Sequence, residues 1–273
     1  MIRAASERSA RRPSPSPPIP FSTLLAVLVM FLILALALRW PRGAAATTSS
    51  QPSGRNPHTR LAGNDVRPSA CSYADTRTRR AAYPDWQRTL VDTEFAVPAT
   101  YRPPDVASIR DAGFTEPFLV RALVLRDLAA LRRAASAAGH PLGVVAAYRS
   151  YEQQADLFAR RETALGHEKA LEVAARPGHS EHQLGTTVDF TSAGQTDVTK
   201  SWGATPDGRW LHSNAYRFGF IESYPEGRSS VTCYGYEPWH FRYFGKEIAS
   251  RIHSSGLTVR EYLWRLDAGR SKN

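Results

Sequence analysis

Ser180-Glu181-His182-Gln183-Leu184-Gly185-Thr186-Thr187-Val188-Asp189 places an imidazole, two carboxylates and a turn-forming glycine within ten residues. His182 and Asp189 are seven apart with Gly185 between them, which is not the one-turn spacing of a His-Glu-x-x-His pair on a helix. The spacing predicts a loop carrying His182, a turn at Gly185, and a strand over Thr186 to Phe190. The β-branched and aromatic residues of that strand would present Asp189. A second stretch, Glu237-Pro238-Trp239-His240, leads into a run to Phe244 that alternates well enough for a further strand.

Together the two stretches offer two imidazoles, a strand-borne carboxylate and a spare glutamate. That is the inventory of a hydrolytic zinc site: three protein ligands, an open position for water, and a base. On this reading His182, Asp189 and His240 hold one Zn²⁺ per chain. Glu237 is the candidate base, because Pro238 should break a regular strand and bend its carboxylate toward the cavity of His240. Glu181 is the rival base; in extended chain its side chain points away from that of His182, which ranks it second. Taken singly, each residue has a plainer reading, since a lone histidine is more often hydrogen-bonded structure than a ligand. His58, His140, His167, His212 and His253 have no comparable context and are read as structural, and His179 is expected to face away from the cluster.

Around these stretches the pattern predicts an α+β domain. Phe118 to Ala138 reads as a helix, with Leu123, Leu128 and Leu131 near one stripe and Gly139 as its stop. Gly143 to Tyr148 reads as a buried strand. A helix from Tyr151 to Leu165 starts at Ser150 as N-cap, with Gln153 three residues on. Asp207 to Phe218 reads as helix, Phe220 to Tyr224 as strand, and Lys246–Ser255 and Thr258–Leu266 as closing helices. No Gly-rich phosphate loop or regular strand–helix alternation supports a doubly wound sheet.

The net charge of +10 would suggest a nucleic-acid partner if it were spread over the fold. It is not: residues 1–80 carry twelve Lys and Arg against three Asp and Glu, and the remainder twenty-three against twenty-two. The globular part is close to neutral, and no nucleic acid is expected. Residues 1–20 read as a short cytoplasmic segment. Phe21 to Leu38 runs eighteen residues without a charge, long enough as a helix to span a bilayer, and Arg39-Trp40-Pro41 closes it. A retained anchor fits this length better than a cleavable signal peptide, although Ala44-Ala45-Ala46 could serve as a cleavage site. Either route exports the rest. Residues 39–80 read as a flexible linker, 81–267 as the domain and 268–273 as a tail. Cys71 and Cys233, the two cysteines of the chain, are too far apart for a Cys-x-x-Cys pair, and in an oxidising compartment they invite a disulfide.

The two motif stretches resemble the VanY-type D-alanyl-D-alanine carboxypeptidases, within the wider lysostaphin/D-Ala-D-Ala metallopeptidase and hedgehog-like group. The family's Ser-x-His, its Asp seven residues later and its Glu-x-Trp-His are matched here by Ser180, His182, Asp189, Glu237, Trp239 and His240. Ala147-Tyr148-Arg149-Ser150-Tyr151-Glu152-Gln153-Gln154 looks like the family's Tyr-Arg-Ser block, and the resemblance runs from about Thr93 to Ser255. It implies zinc held by His182, Asp189 and His240, with Glu237 as general acid and base. It implies that Arg149 either polarises the scissile carbonyl or pairs with the substrate's terminal carboxylate, and that Gln154 and Ser180 hold the peptide. Trp239 is expected to pack in the core. The implied fold is a small antiparallel sheet carrying the zinc site, backed by helices. The implied function is a membrane-anchored, extracytoplasmic carboxypeptidase that removes the terminal D-alanine of peptidoglycan stem peptides. An L,D-carboxypeptidase on tetrapeptide stems is the near alternative, a D,D-dipeptidase or endopeptidase a further one. A non-catalytic zinc-containing wall-binding module would have no need of Glu237.

Overall fold

The computed structural model describes residues 67–268. The expected anchor over 21–38, the linker residues before 67 and the last five residues lie outside the described part. Among the described residues, no helix is long and apolar enough to cross a membrane.

β1 (Thr76–Arg77) pairs in parallel with β2 (Phe95–Ala96), and β3 (Val106–Ser108) pairs antiparallel with β4 (Leu119–Arg121). α1 (Ala122–Ala137) leads to β5 (Leu142–Ala146), then α2 (Tyr151–Leu165), α3 (His167–Val173) and β6 (Thr187–Ser192). α4 (Pro206–Asn214), β7 (Phe220–Glu222), the single turn α5 (Ser229–Thr232), β8 (His240–Tyr243), α6 (Lys246–Ser255) and α7 (Val259–Ala268) complete the chain. The main sheet runs β5-β6-β8-β7 with every neighbour antiparallel, so the arrangement is the expected α+β.

Strand periodicity separates core from site. β6 and β8 pair Thr187 with Arg242, Val188 with Phe241, and Asp189 with His240. Successive side chains point to opposite faces. Val188, Phe190 and Phe241 therefore turn into the main core, where Val124, Leu128 and Leu131 of α1 meet them. Asp189, His240 and Arg242 share the other face. Directly opposed residues of an antiparallel pair hold their Cβ atoms about 5 Å apart, near enough to share one ion.

Among the differences from the sequence reading, three stand out. α1 begins at Ala122 rather than Phe118, because Leu119–Arg121 is drawn into β4 and the Arg121 guanidinium pairs with Asp105 (2.7 Å). Val124, not Leu123, then completes its buried stripe. α3 was not anticipated: Gly166 (φ 80°) ends α2, and a new short helix buries Ala170 and Leu171. The linker expected to reach residue 80 is packed from about Ser69. Arg260 donates to the Ser69 carbonyl (2.9 Å), Cys71 bonds Cys233, Arg176 pairs with Asp75 (2.6 Å), and Arg80 pairs with Asp267 (2.8 Å). Polar and disulfide contacts hold this strap, so it carries no apolar pattern to read. The capping box at Ser150 is formed as the sequence suggests, with Ser150 and Gln153 satisfying each other's backbone N–H groups.

Candidate metal centre and active site

Glu181–Leu184 forms a turn of 3-10 helix, capped by Ser180 and closed by Gly185 at φ 70°. Only glycine adopts that φ freely, and a Cβ there would lie 3.0 Å from Cγ of Arg121. The turn lifts His182 over the sheet face that bears Asp189 and His240. Ligand atoms of the three lie within 4.8 Å of one another, and all three residues are buried. The side chains that the sequence reading grouped are brought together.

Each imidazole is fixed by what its second nitrogen meets. Nδ1 of His182 donates to the Ala147 carbonyl (2.6 Å), which can only accept, so Nε2 is left to face Asp189 Oδ2 at 3.2 Å. Nε2 of His240 donates to the Glu181 carboxylate (3.0 Å), leaving Nδ1 3.1 Å from Asp189 Oδ1. Despite that proximity, Asp189 Oδ1 is buried without a hydrogen-bond partner among the described residues. Two ligands about 2.0–2.1 Å from a tetrahedral zinc stand about 3.3 Å apart, close to the separations here. Soft-to-borderline nitrogen donors with one carboxylate, and a partnerless carboxylate oxygen, fit such an ion.

Glu237 lies where the chain turns, its N–H donating to the Tyr224 carbonyl and its own carbonyl accepting from His240 N–H (both 3.1 Å). Its carboxylate comes within 3.6 Å of His240 Nδ1. Burial pushes its pKa up to about 7, against the opposing pull of the His240 charge. Glu181 is set the other way. Burial alone would raise it, but Arg242 (2.9 Å), His240 and Ser223 (2.6 Å) hold it at about 2. It is occupied in orienting His240 and is not placed as a base. Around His240, burial favours the neutral ring, yet Asp189 and Glu181 raise it to about 10 without metal. Burial lowers His182. Burial would raise Asp189, but His182 and His240 bring it below the usual range.

The cluster opens into a cleft of about 210 Å³. Arg149 lines it, its Nη1 donating to Gln154 Oε1 (2.7 Å); burial depresses the guanidinium, while Asp189 and Glu237 favour its charge. Gln154 Nε2 donates to the Ala175 carbonyl (2.6 Å), so both ends of the amide hold protein groups and the side chain steers Arg149. Ser180 lines the cleft, with its Oγ accepting His182 N–H (3.3 Å). Trp239 packs against the core and also reaches the cleft wall. His179 holds the strap instead, contacting the Asp92 carbonyl and Asp75. Sequence reasoning missed Arg242 and Ser223 behind Glu181, and Tyr224, whose ring centroid is 4.7 Å from that of His240. The two-residue alternation that puts Arg242 on the face of His240 was the available signal.

The VanY family, described as D-alanyl-D-alanine carboxypeptidase, matches residues 118–246. A putative carboxypeptidase of Bacillus subtilis, YodJ, is 38% identical over 179 residues, covering 63% of this chain and 65% of its own length. A D-alanyl-D-alanine carboxypeptidase of Enterococcus faecalis is 31% identical over 250 residues, covering 88% of this chain and 89% of that protein. The chain thus spans just under two thirds of the first relative and nearly all of the second. Among solved structures, the LD-carboxypeptidase LdcB superposes with a TM-score of 0.59 at 37% identity, covering 63% of this chain and 83% of the other. The vancomycin-resistance D,D-pentapeptidase VanY, in a mutant complexed with Zn(II), gives 0.55 at 32%, covering 65% and 99%. Fold, motif order and relatives define a peptidase of the carboxypeptidase class. The chain belongs to the VanY-type D-alanyl-D-alanine carboxypeptidase family.

Proposed function

We propose that this chain is a zinc-dependent D,D-carboxypeptidase that removes the terminal D-alanine from peptidoglycan stem peptides outside the cytoplasm. The observation that carries the reading is the convergence of His182, Asp189 and His240 beside a buried Glu237. Zinc held by His182 Nε2, Asp189 and His240 Nδ1 would supply Lewis acidity toward the peptide carbonyl and water. Glu237 takes the proton from the attacking water at its carboxylate and returns it to the leaving amine. A base near pH 7 suits both transfers, and burial gives Glu237 that character. Arg149, steered by Gln154, presents a fixed positive fork to the developing oxyanion or to the terminal carboxylate. Tyr224 and Tyr234 stay neutral, raised by burial, and wall the site against water. The Cys71–Cys233 disulfide supports an oxidising compartment, in keeping with an anchor over 21–38 that holds the domain at the membrane's outer surface.

An L,D reading is favoured by one observation, the likeness to LdcB at a TM-score of 0.59. Purified protein is incubated with pentapeptide and tetrapeptide stems, with and without chelator, alongside Glu237→Ala. Release of D-alanine from the pentapeptide, lost on chelation and in the variant, supports the proposal. Cleavage of the tetrapeptide alone transfers it to the L,D class, and zinc-dependent binding without cleavage to a wall-binding module.

A further inference from the structure

α2 turns one face to the cleft, with Gln154, Leu157 and Arg161 at helical spacing along it. Seven residues of helix rise about 10 Å, so Arg161 stands that far from the amide that holds Arg149. Between them the wall is apolar: Leu157 on α2, with Val173 (46% exposed) and Ala174 at the end of α3. The carboxylates of the site are engaged, Glu181 by Arg242 and Asp189 and Glu237 around His240. The Arg161 side chain is exposed and makes no ion pair or hydrogen bond among the described residues. On α2 and α3, Glu152 pairs with Arg102, Glu162 with His167 and Glu172 with Lys169, while Asp156 and Glu168 make no ion pair with Arg161.

An apolar corridor that ends in an uncompensated cation fits a particular ligand group. We propose that Leu157, Val173 and Arg161 form a second subsite that takes an aliphatic side chain ending in a carboxylate. This deepens the proposed function and rests on it. One residue of extended peptide advances about 3.3 Å, so one residue back from the scissile position plus a long side chain spans the distance to Arg161. The residue preceding the D-alanine pair is therefore the one read. Arg161 acts on affinity and selectivity, away from the reacting atoms.

The test compares N-acyl-X-D-alanyl-D-alanine peptides with X as diaminopimelate, whose side chain ends in a carboxylate, or lysine, which lacks it. kcat and KM are measured for the zinc-loaded wild type, Arg161→Ala, Arg161→Lys and Arg161→Glu, at low and high salt. For an exposed pair, Arg161→Ala should raise KM for the diaminopimelyl peptide about five-fold with kcat unchanged and leave the lysyl peptide alone. Arg161→Lys should restore most of the difference, Arg161→Glu should invert the preference, and salt should erode it. If Arg161→Ala shifts both peptides equally or neither, the subsite is overturned while the activity stands. If the wild type cleaves neither, the D,D reading fails instead. Calorimetric affinities of the same peptides for wild type and Arg161→Ala then decide the subsite on their own.

Discussion

Glu237 and Glu181 approach the two nitrogens of one imidazole, 3.6 Å from Nδ1 and 3.0 Å from Nε2 of His240, and their surroundings separate them. Burial leaves Glu237 able to exchange a proton near pH 7, whereas Arg242 keeps Glu181 ionised. Glu237→Gln should therefore lower kcat by about 10²–10⁴-fold, with zinc content by metal analysis unchanged. Loss of the metal together with activity would make Glu237 a ligand rather than a base. Glu181→Gln should weaken zinc binding about 10–100-fold, because the amide no longer draws the Nε2 proton of His240 as firmly. Competition with a chromophoric chelator measures this, and an unchanged dissociation constant would remove Glu181 from the site. The same carboxylate should mark acid unfolding. Its folded pKa lies below the unfolded value of about 4.5, so its stabilisation is complete above that pH. It is lost as pH falls toward about 2. Thermal melts of zinc-free protein across that window should drop steeply for wild type and flatten in Glu181→Gln.

At the scale of elements, α1 and α2 serve different purposes. Val124, Leu128 and Leu131 of α1 are fully buried against the sheet, so Leu128→Ala should cost about 2–5 kcal/mol in urea unfolding. α2 carries fewer buried residues and depends more on its cap. Ser150→Ala should cost about 1 kcal/mol, since the Oγ that receives Gln153 N–H is lost. A negligible change would mean that tertiary contacts alone hold the start of α2. These helices were legible in sequence because apolar spacing and capping residues are local signals. α3 was not, because seven residues with two buried side chains give too little period to read. Nor was β4, where pairing with β3 overrides the helical preference of Leu119–Arg121.

Across the whole molecule, the strap before β2 reaches the loop that bears Glu237. Cys71 is joined to Cys233, four residues ahead of Glu237, and buried Arg260 ties Asp92 (2.6 Å) to the Ser69 and Val231 carbonyls. Replacing both cysteines by serine should lower unfolding free energy by about 2–5 kcal/mol, a difference that reductant should abolish in denaturant titrations of the two proteins. What the sequence determined by itself was local or pairwise: strand and helix periods, the cap at Ser150, the turn at Gly185, an even pair of cysteines, and ligand-type residues in two short stretches. Those follow from side-chain chemistry and spacing along one chain. The tertiary structure alone decided which nitrogen of each histidine faces Asp189, and that Glu181 is held by Arg242, His240 and Ser223 while Glu237 faces the cleft. It also decided that Gln154 is occupied by Arg149, and that Arg161 stands over the cleft without a counter-charge. Each of these depends on the register of β6 against β8 and on the packing of α2 beside them, which bring together groups that no sequence period connects.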